Sequence, residues 1–263
     1  MTTIVLAAGI ARFDELLVLL GHTSGIYFNG IAKHLRDHGF TVEEPVVPFA
    51  ESVGERSRVV AQKIRDLGPV HIIAHSMGGL DARHMIIDDR SAAAAVRSLM
   101  TIGTPHRGTP FADHGVSHGG LFIKFIDRVA PFSLDGFDDL TTAACGAFNE
   151  KVRAAEEANA VKYRVVSASQ EESRTFLPLR PSHRIISERE RENDGLVSVA
   201  SQRWTDDGTL GRKRIPVIDF PLPADHLNEL GWWDPGETMS PGDFSARVRD
   251  FYLQLARRAE AEG

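Results

Sequence analysis

Cys145 is the only cysteine among 263 residues, so no disulfide can close within the chain and nothing points to maturation in an oxidising compartment. Long apolar runs are missing too: none approaches the roughly 18 residues that a membrane-spanning helix requires. MTTIVLAAG at the N-terminus lacks a basic n-region, and its short apolar stretch soon meets Arg12, Asp14 and Glu15, so no secretory signal is expected. There is no excess of positive charge. A net charge of −6 gives no overall attraction to nucleic acid or to an anionic bilayer. These absences predict a cytoplasmic protein with no nucleic-acid partner and no integral membrane association; they leave oligomeric state open.

What is present is ordinary for a globular chain, with 42% hydrophobic and 25% charged residues. Thr3–Ala7, Thr41–Val47, Val70–Ala74, Arg97–Ile102, Val161–Ser167 and Ile215–Phe220 are short β-branched runs, most of them apolar on both faces as buried parallel strands are. Tyr27–Asp37, Val53–Leu67 and Met77–Asp88 carry apolar residues at helical spacing. This alternation predicts an α/β fold with a mostly parallel central sheet flanked by helices, read as one domain over residues 1–263. From about 113 to 151 the pattern breaks around Gly119, Gly120, Pro131 and Gly136, which predicts a helical cap or lid insertion. Its apolar stretch LFIKFI (Leu121–Ile126) could line a binding site, cover it or belong to the core. Ser169–Asn193 is polar and irregular and reads as a long loop ending in a solvated mixed-charge run, SEREREND.

The chemistry concentrates in HIIAHSMGGLDARHMI. An apolar strand runs directly into His75-Ser76-Met77 and the pattern then turns helical, with small residues, Ala74 and Gly78, two positions either side of Ser76. A serine in so sharp a strand-to-helix turn is held out beyond the carboxyl end of the sheet, and its neighbours must lack bulk. The amide of Met77, at a helix N-terminus, can face a developing oxyanion. AHSMG alone recurs by chance; its position between a buried strand and a helix gives it weight. His75 is expected to shape the turn, and Cys145 to be a small buried residue.

Taken with YFNGIAKHLRDHGFTVEEPVVP, SLMTIGTPHRGTPFAD, LTTAACGAFNEKV, NDGLV and DHLNEL, this segment resembles the bacterial triacylglycerol lipases of the α/β-hydrolase superfamily, from Ile4 to about Leu230. The resemblance implies the α/β-hydrolase fold, Ser76 as nucleophile, Asp194 as triad acid and His226 as general base, in the chain order Ser, Asp, His of that fold. Asp194 also suits a plain Asn-Asp-Gly turn, and Asp225 is expected to be exposed. The family's first oxyanion donor follows the first strand; VLAAGIARF has Ala8 where a histidine is usual, Gly9 permits a sharp turn, and the Ile10 amide becomes the candidate partner of Met77. Asn228 stands where secreted relatives often carry an aspartate for structural calcium, so no metal is expected, and the mechanism needs no cofactor. The implied activity is hydrolysis of lipid-like or other apolar acyl esters. The same triad could serve an acyltransferase, thioesterase, phospholipase or polyester hydrolase, and the same fold could carry a non-catalytic binding protein.

Overall fold

The computed structural model describes residues 1–9, 27–47, 51–117 and 135–262. Six parallel strands form the central sheet: β1 (Thr3–Ala7), β2 (Thr41–Glu43), β3 (Val70–His75), β4 (Val96–Ile102), β5 (Lys162–Ser167) and β8 (Val217–Asp219), in spatial order β2-β1-β3-β4-β5-β8. A short antiparallel pair, β6 (Thr209–Leu210) and β7 (Lys213–Arg214), precedes the last strand. Side chains alternate between the faces, as strand geometry requires. Ile4, Leu6, Ile73, Met100 and Val166 lie in one core, whereas Val5, Ala7, Ile72, Leu99 and Val165 lie in the other. β3 is buried at every position, which explains its run of apolar residues on both faces.

Helices α1 (Ile31–Asp37) and α10 (Pro241–Glu262) cover the first face. The other is covered by α2 (Val53–Arg65), α3 (Met77–Asp88) and α4 (Arg90–Ala95). Ser52 caps α2 by accepting from the Glu55 amide, while the Glu55 carboxylate accepts from the Ser52 hydroxyl. After β4 come α5 (Pro110–Ser117), α6 (Asp135–Asp138) and α7 (Thr142–Ala158). These form the described flanks of the expected cap. They join a third apolar cluster in which Phe137, Leu140 and Cys145 meet Val53, Met77 and Leu80, so the segment packs against the helix that follows Ser76. Leu121–Ile126 lies outside the described residues. Among the described residues no helix is long and apolar enough to cross a membrane.

Several boundaries differ from expectation for local reasons. The first helix begins at Ile31 rather than Tyr27, because Asn29 (φ 23°) and Gly30 (φ 78°) have positive φ and break helical geometry before it. β2 ends at Glu43, two residues before Pro45, and β8 starts directly after Pro216; proline offers no amide to a ladder. The larger correction concerns residues 169–193. They are not an irregular loop: two 3₁₀ turns, Glu172–Arg174 and Leu177–Leu179, lead into α8 (Arg180–Glu190), which ends at Arg191 with φ 63°. Its inner face is Ser182, His183 and Ile186, of which only Ile186 is apolar. The first half of the mixed-charge run, Ser187–Glu190, is therefore helix. A last short helix, α9 (Val199–Gln202), follows.

α3 enters against the end of β1 with no room to spare. A Cβ added at Gly78 would lie 2.4 Å from the Ala7 carbonyl oxygen and 2.7 Å from that of Ala8; one at Gly79 would lie 2.2 Å from Thr104 Oγ1. Gly78→Ala should lower unfolding free energy by about 1–3 kcal/mol, the usual penalty of overpacking, measured as a fall in the urea midpoint at unchanged m-value. Burial pushes the Cys145 thiol up to about 12, so it should resist a thiol-disulfide reagent at pH 8 in the folded protein and react once per chain in denaturant.

Candidate active site

Ser76 sits between β3 and α3 with φ 56° and ψ −136°, a region that non-glycine residues enter only when their surroundings enforce it. Two bonds do so here. The Ser76 amide donates to the Ile102 carbonyl at 2.9 Å, and Thr104 Oγ1 donates to the Ser76 carbonyl at 2.8 Å. The side chain is left at the carboxyl end of the sheet, half-buried. Met77 is the first helical residue, so its amide has no acceptor within the helix.

Asp194 and His226 come from separate loops and meet in the interior. His226 Nδ1 lies 2.8 Å from Asp194 Oδ2, and the His226 amide donates to the Asp194 carbonyl at 2.8 Å. Both side chains are almost fully buried. The carboxylate is fixed by further donors: the amides of Leu196 (2.8 Å) and Val197 (2.7 Å) reach Oδ1, and Gln202 Nε2 reaches Oδ2 at 3.0 Å. Gly195, with φ 94°, lets the chain turn tightly enough for those amides to converge. Asp194 is thus a turn residue and the partner of His226 at once. His226 Nε2 is buried and has no hydrogen-bond partner among the described residues. An imidazole whose Nδ1 faces a carboxylate presents Nε2 as its basic nitrogen, the arrangement that accepts a proton.

Ile10, the second candidate oxyanion donor, lies outside the described residues. Its predecessor is informative. A Cβ at Gly9 would fall 2.7 Å from Ser76 Cβ and 3.1 Å from Ser76 Oγ, so the loop after β1 passes directly against the serine. A buried arginine ties that loop down: Arg56 donates to the carbonyls of Ala8 (3.0 Å) and Gly9 (2.8 Å) while binding Asp81 Oδ2 through Nε (2.9 Å) and Nη2 (2.7 Å). Burial pushes the Asp81 carboxyl up to about 6 against the opposing pull of Arg56.

The expectation that Asp225 is exposed is wrong. It is fully buried, and its carboxylate accepts from the amides of Phe176 (2.7 Å), Leu227 (2.9 Å) and Asn228 (3.0 Å), shaping the loop that delivers His226. Burial pushes its carboxyl up to about 7. Asn228 is engaged by protein groups, donating to the Trp232 carbonyl (2.9 Å) and Asp234 Oδ2 (3.2 Å) and accepting from the Asp225 amide (3.0 Å). His75 does more than shape a turn, since it faces Tyr27 and Glu229 in the interior. Sequence reading missed Arg56, Gln202, Tyr27 and Glu229. Only Glu229, three residues after His226, left any local signal.

Residues 55–135 match the PGAP1-like alpha/beta domain. Over 228 residues the chain is 30% identical to triacylglycerol lipase 2 of Saccharomyces cerevisiae, covering 78% of this chain and 62% of the yeast protein. It is 33% identical over 119 residues to a triacylglycerol lipase of Burkholderia plantarii, covering 42% of this chain and 31% of that protein. The chain therefore spans less than two thirds of the length of these curated relatives. Among solved structures, a metagenomic carboxyl esterase superposes with a TM-score of 0.76 at 18% identity, covering all of this chain and 76% of the esterase. Staphylococcus hyicus lipase superposes at 0.64 and 16% identity, covering 99% of this chain and 96% of the lipase. Architecture and sequence likeness agree: the fold is the α/β-hydrolase fold of the esterase and lipase on which it superposes, and the sequence is similar to those of triacylglycerol lipases.

Proposed function

We propose that the chain is a serine hydrolase of carboxylic esters with lipid-like or otherwise apolar acyl groups, with Ser76 as nucleophile, His226 as general base and Asp194 as the acid of the triad. The observation that carries this reading is the buried 2.8 Å contact of His226 Nδ1 with Asp194 Oδ2, which leaves Nε2 without a partner among the described residues on a ring 4.5 Å from that of His75, the residue before Ser76. The likeness to triacylglycerol lipases favours an ester over other acyl substrates.

In the first step Ser76 Oγ adds to the ester carbonyl carbon as its proton passes to His226 Nε2. The Met77 amide, with Ile10 as proposed second donor, stabilises the oxyanion. The tetrahedral species collapses to an acyl-serine, and His226 gives its proton to the departing alcohol. Water then attacks the acyl-serine with His226 again taking the proton, the acid leaves and Ser76 is regenerated. Asp194 holds the imidazole tautomer and stabilises its charged form throughout.

The test is hydrolysis of p-nitrophenyl esters from acetate to palmitate, with emulsified triglyceride in parallel. Ser76→Ala should fold normally, lose nearly all turnover and fail to react with a fluorophosphonate probe that labels the parent; retained turnover overturns the assignment. Asp194→Asn should lower kcat by about 1,000- to 10,000-fold, because the amide can hold the wrong imidazole tautomer. Turnover of palmitate and triglyceride would identify a lipase, and acetate alone an esterase.

A further inference from the structure

A line of buried polar contacts leads from the loop beside Ser76 to the far side of His226. The Gly9 amide donates to Tyr27 Oη at 3.0 Å, Tyr27 Oη lies 2.7 Å from His75 Nδ1, and His75 Nε2 lies 3.0 Å from Glu229 Oε2. Glu229 Oε2 is in turn 3.8 Å from His226 Nδ1. The rings are in contact as well, His75 standing 4.5 Å from His226 and 5.7 Å from Tyr27 between centroids. Space for the carboxyl exists because residue 103 is glycine, where a Cβ would fall 2.2 Å from Glu229 Oε2.

The direction we assign has Tyr27 accepting from the Gly9 amide and giving its hydroxyl hydrogen to His75 Nδ1, with His75 carrying hydrogen on Nε2 to give to Glu229. Burial holds His75 neutral by driving its pKa well below the ordinary range. Burial also drives the Glu229 carboxyl well above its ordinary range, with Asp194 and Asp225 adding to the effect. Glu229 Oε1 has no partner among the described residues. Keeping such a group in the interior opposes folding. A packed apolar residue would avoid that penalty.

We propose that Tyr27, His75 and Glu229 are positioning residues acting as one relay, which holds the oxyanion loop at Gly9 in register with the general base His226. The inference rests on the triad reading. Within it, the relay fixes the distance between the two parts of the site that come from unconnected loops, one carrying the donor and the other the base. None of the three residues needs to touch substrate.

Tyr27→Phe deletes the hydroxyl and leaves ring packing in place. In the p-nitrophenyl ester assay it should lower kcat by about 10- to 100-fold, the scale of a sub-ångström to ångström misplacement, with KM within about two-fold and no matching fall in thermal midpoint. Glu229→Leu should behave alike, and Tyr27→Phe combined with Glu229→Leu should be no slower than the slower single variant, since one relay can be broken only once. Glu229→Gln, which keeps an acceptor for His75, should recover most of the loss. Multiplicative losses, or losses explained by the unfolded fraction, would overturn the relay. Should Glu229→Leu not fold, nitrogen-15 spectra of the histidine-labelled parent decide: His75 must be the neutral tautomer with hydrogen on Nε2, and any other form refutes the proposal. Loss of turnover in Ser76→Ala under the same conditions keeps the triad reading standing if the relay fails.

Discussion

The close passage of α3 over the end of β1 is the constraint on which the site depends. With the Gly78 Cα against the carbonyls of Ala7 and Ala8, a side chain at that position would overlap them unless the helix moved. The approach is what allows one helix N-terminus to lie beside both the β3 turn and the loop after β1. Ser76 is driven to positive φ by the same geometry and held there from both sides, its amide on β4 and its carbonyl on Thr104. Gly9 then runs against the serine side chain. A helix set one side chain's width further out would have left room between them for water.

Burial of charge is unevenly distributed. The interior faces of the sheet are apolar along most of each strand, whereas Arg56, Asp81, Asp194, Asp225, His226 and Glu229 are buried around the site. Each removes an ionisable group from water, a penalty that hydrogen bonding offsets only when the geometry is good. Arg56 meets that condition with four hydrogen bonds to Asp81, Ala8 and Gly9, and Asp194 with two amides, Gln202 and His226. Glu229 does not, and that exception at the junction of two loops is what sets it apart from a structural group.

A second buried arginine shows the structural use of the same chemistry. Arg83 of α3 binds Glu156 at 2.8 and 3.0 Å and Asn149 at 2.7 Å, both from α7, and its guanidinium lies 3.9 Å from the Trp204 ring. Each of its guanidinium nitrogens has a partner. Together with the cluster around Met77, Phe137 and Cys145, it ties the helix carrying the Met77 amide, the proposed oxyanion donor, to the segment inserted after β4.

The sequence by itself determined what short-range rules govern. The alternation of buried strands and helices, the strand-to-helix turn at Ser76 and the tight turn at Asp194 are local consequences of side-chain size and periodicity, and each stands where its residues indicate. Motif likeness paired Asp194 with His226, 32 residues apart. Local pattern failed where burial was decided from a distance. Residues 180–190 form a helix on a polar inner face because their partners lie elsewhere in the fold, and Asp225 is buried because the amide of Phe176 reaches across to it. Arg56, Tyr27, Gln202 and Glu229 resemble ordinary polar surface residues in the chain. Their roles exist only once strands and loops distant in sequence converge, since a hydrogen bond depends on separation in space and carries no trace of separation along the chain.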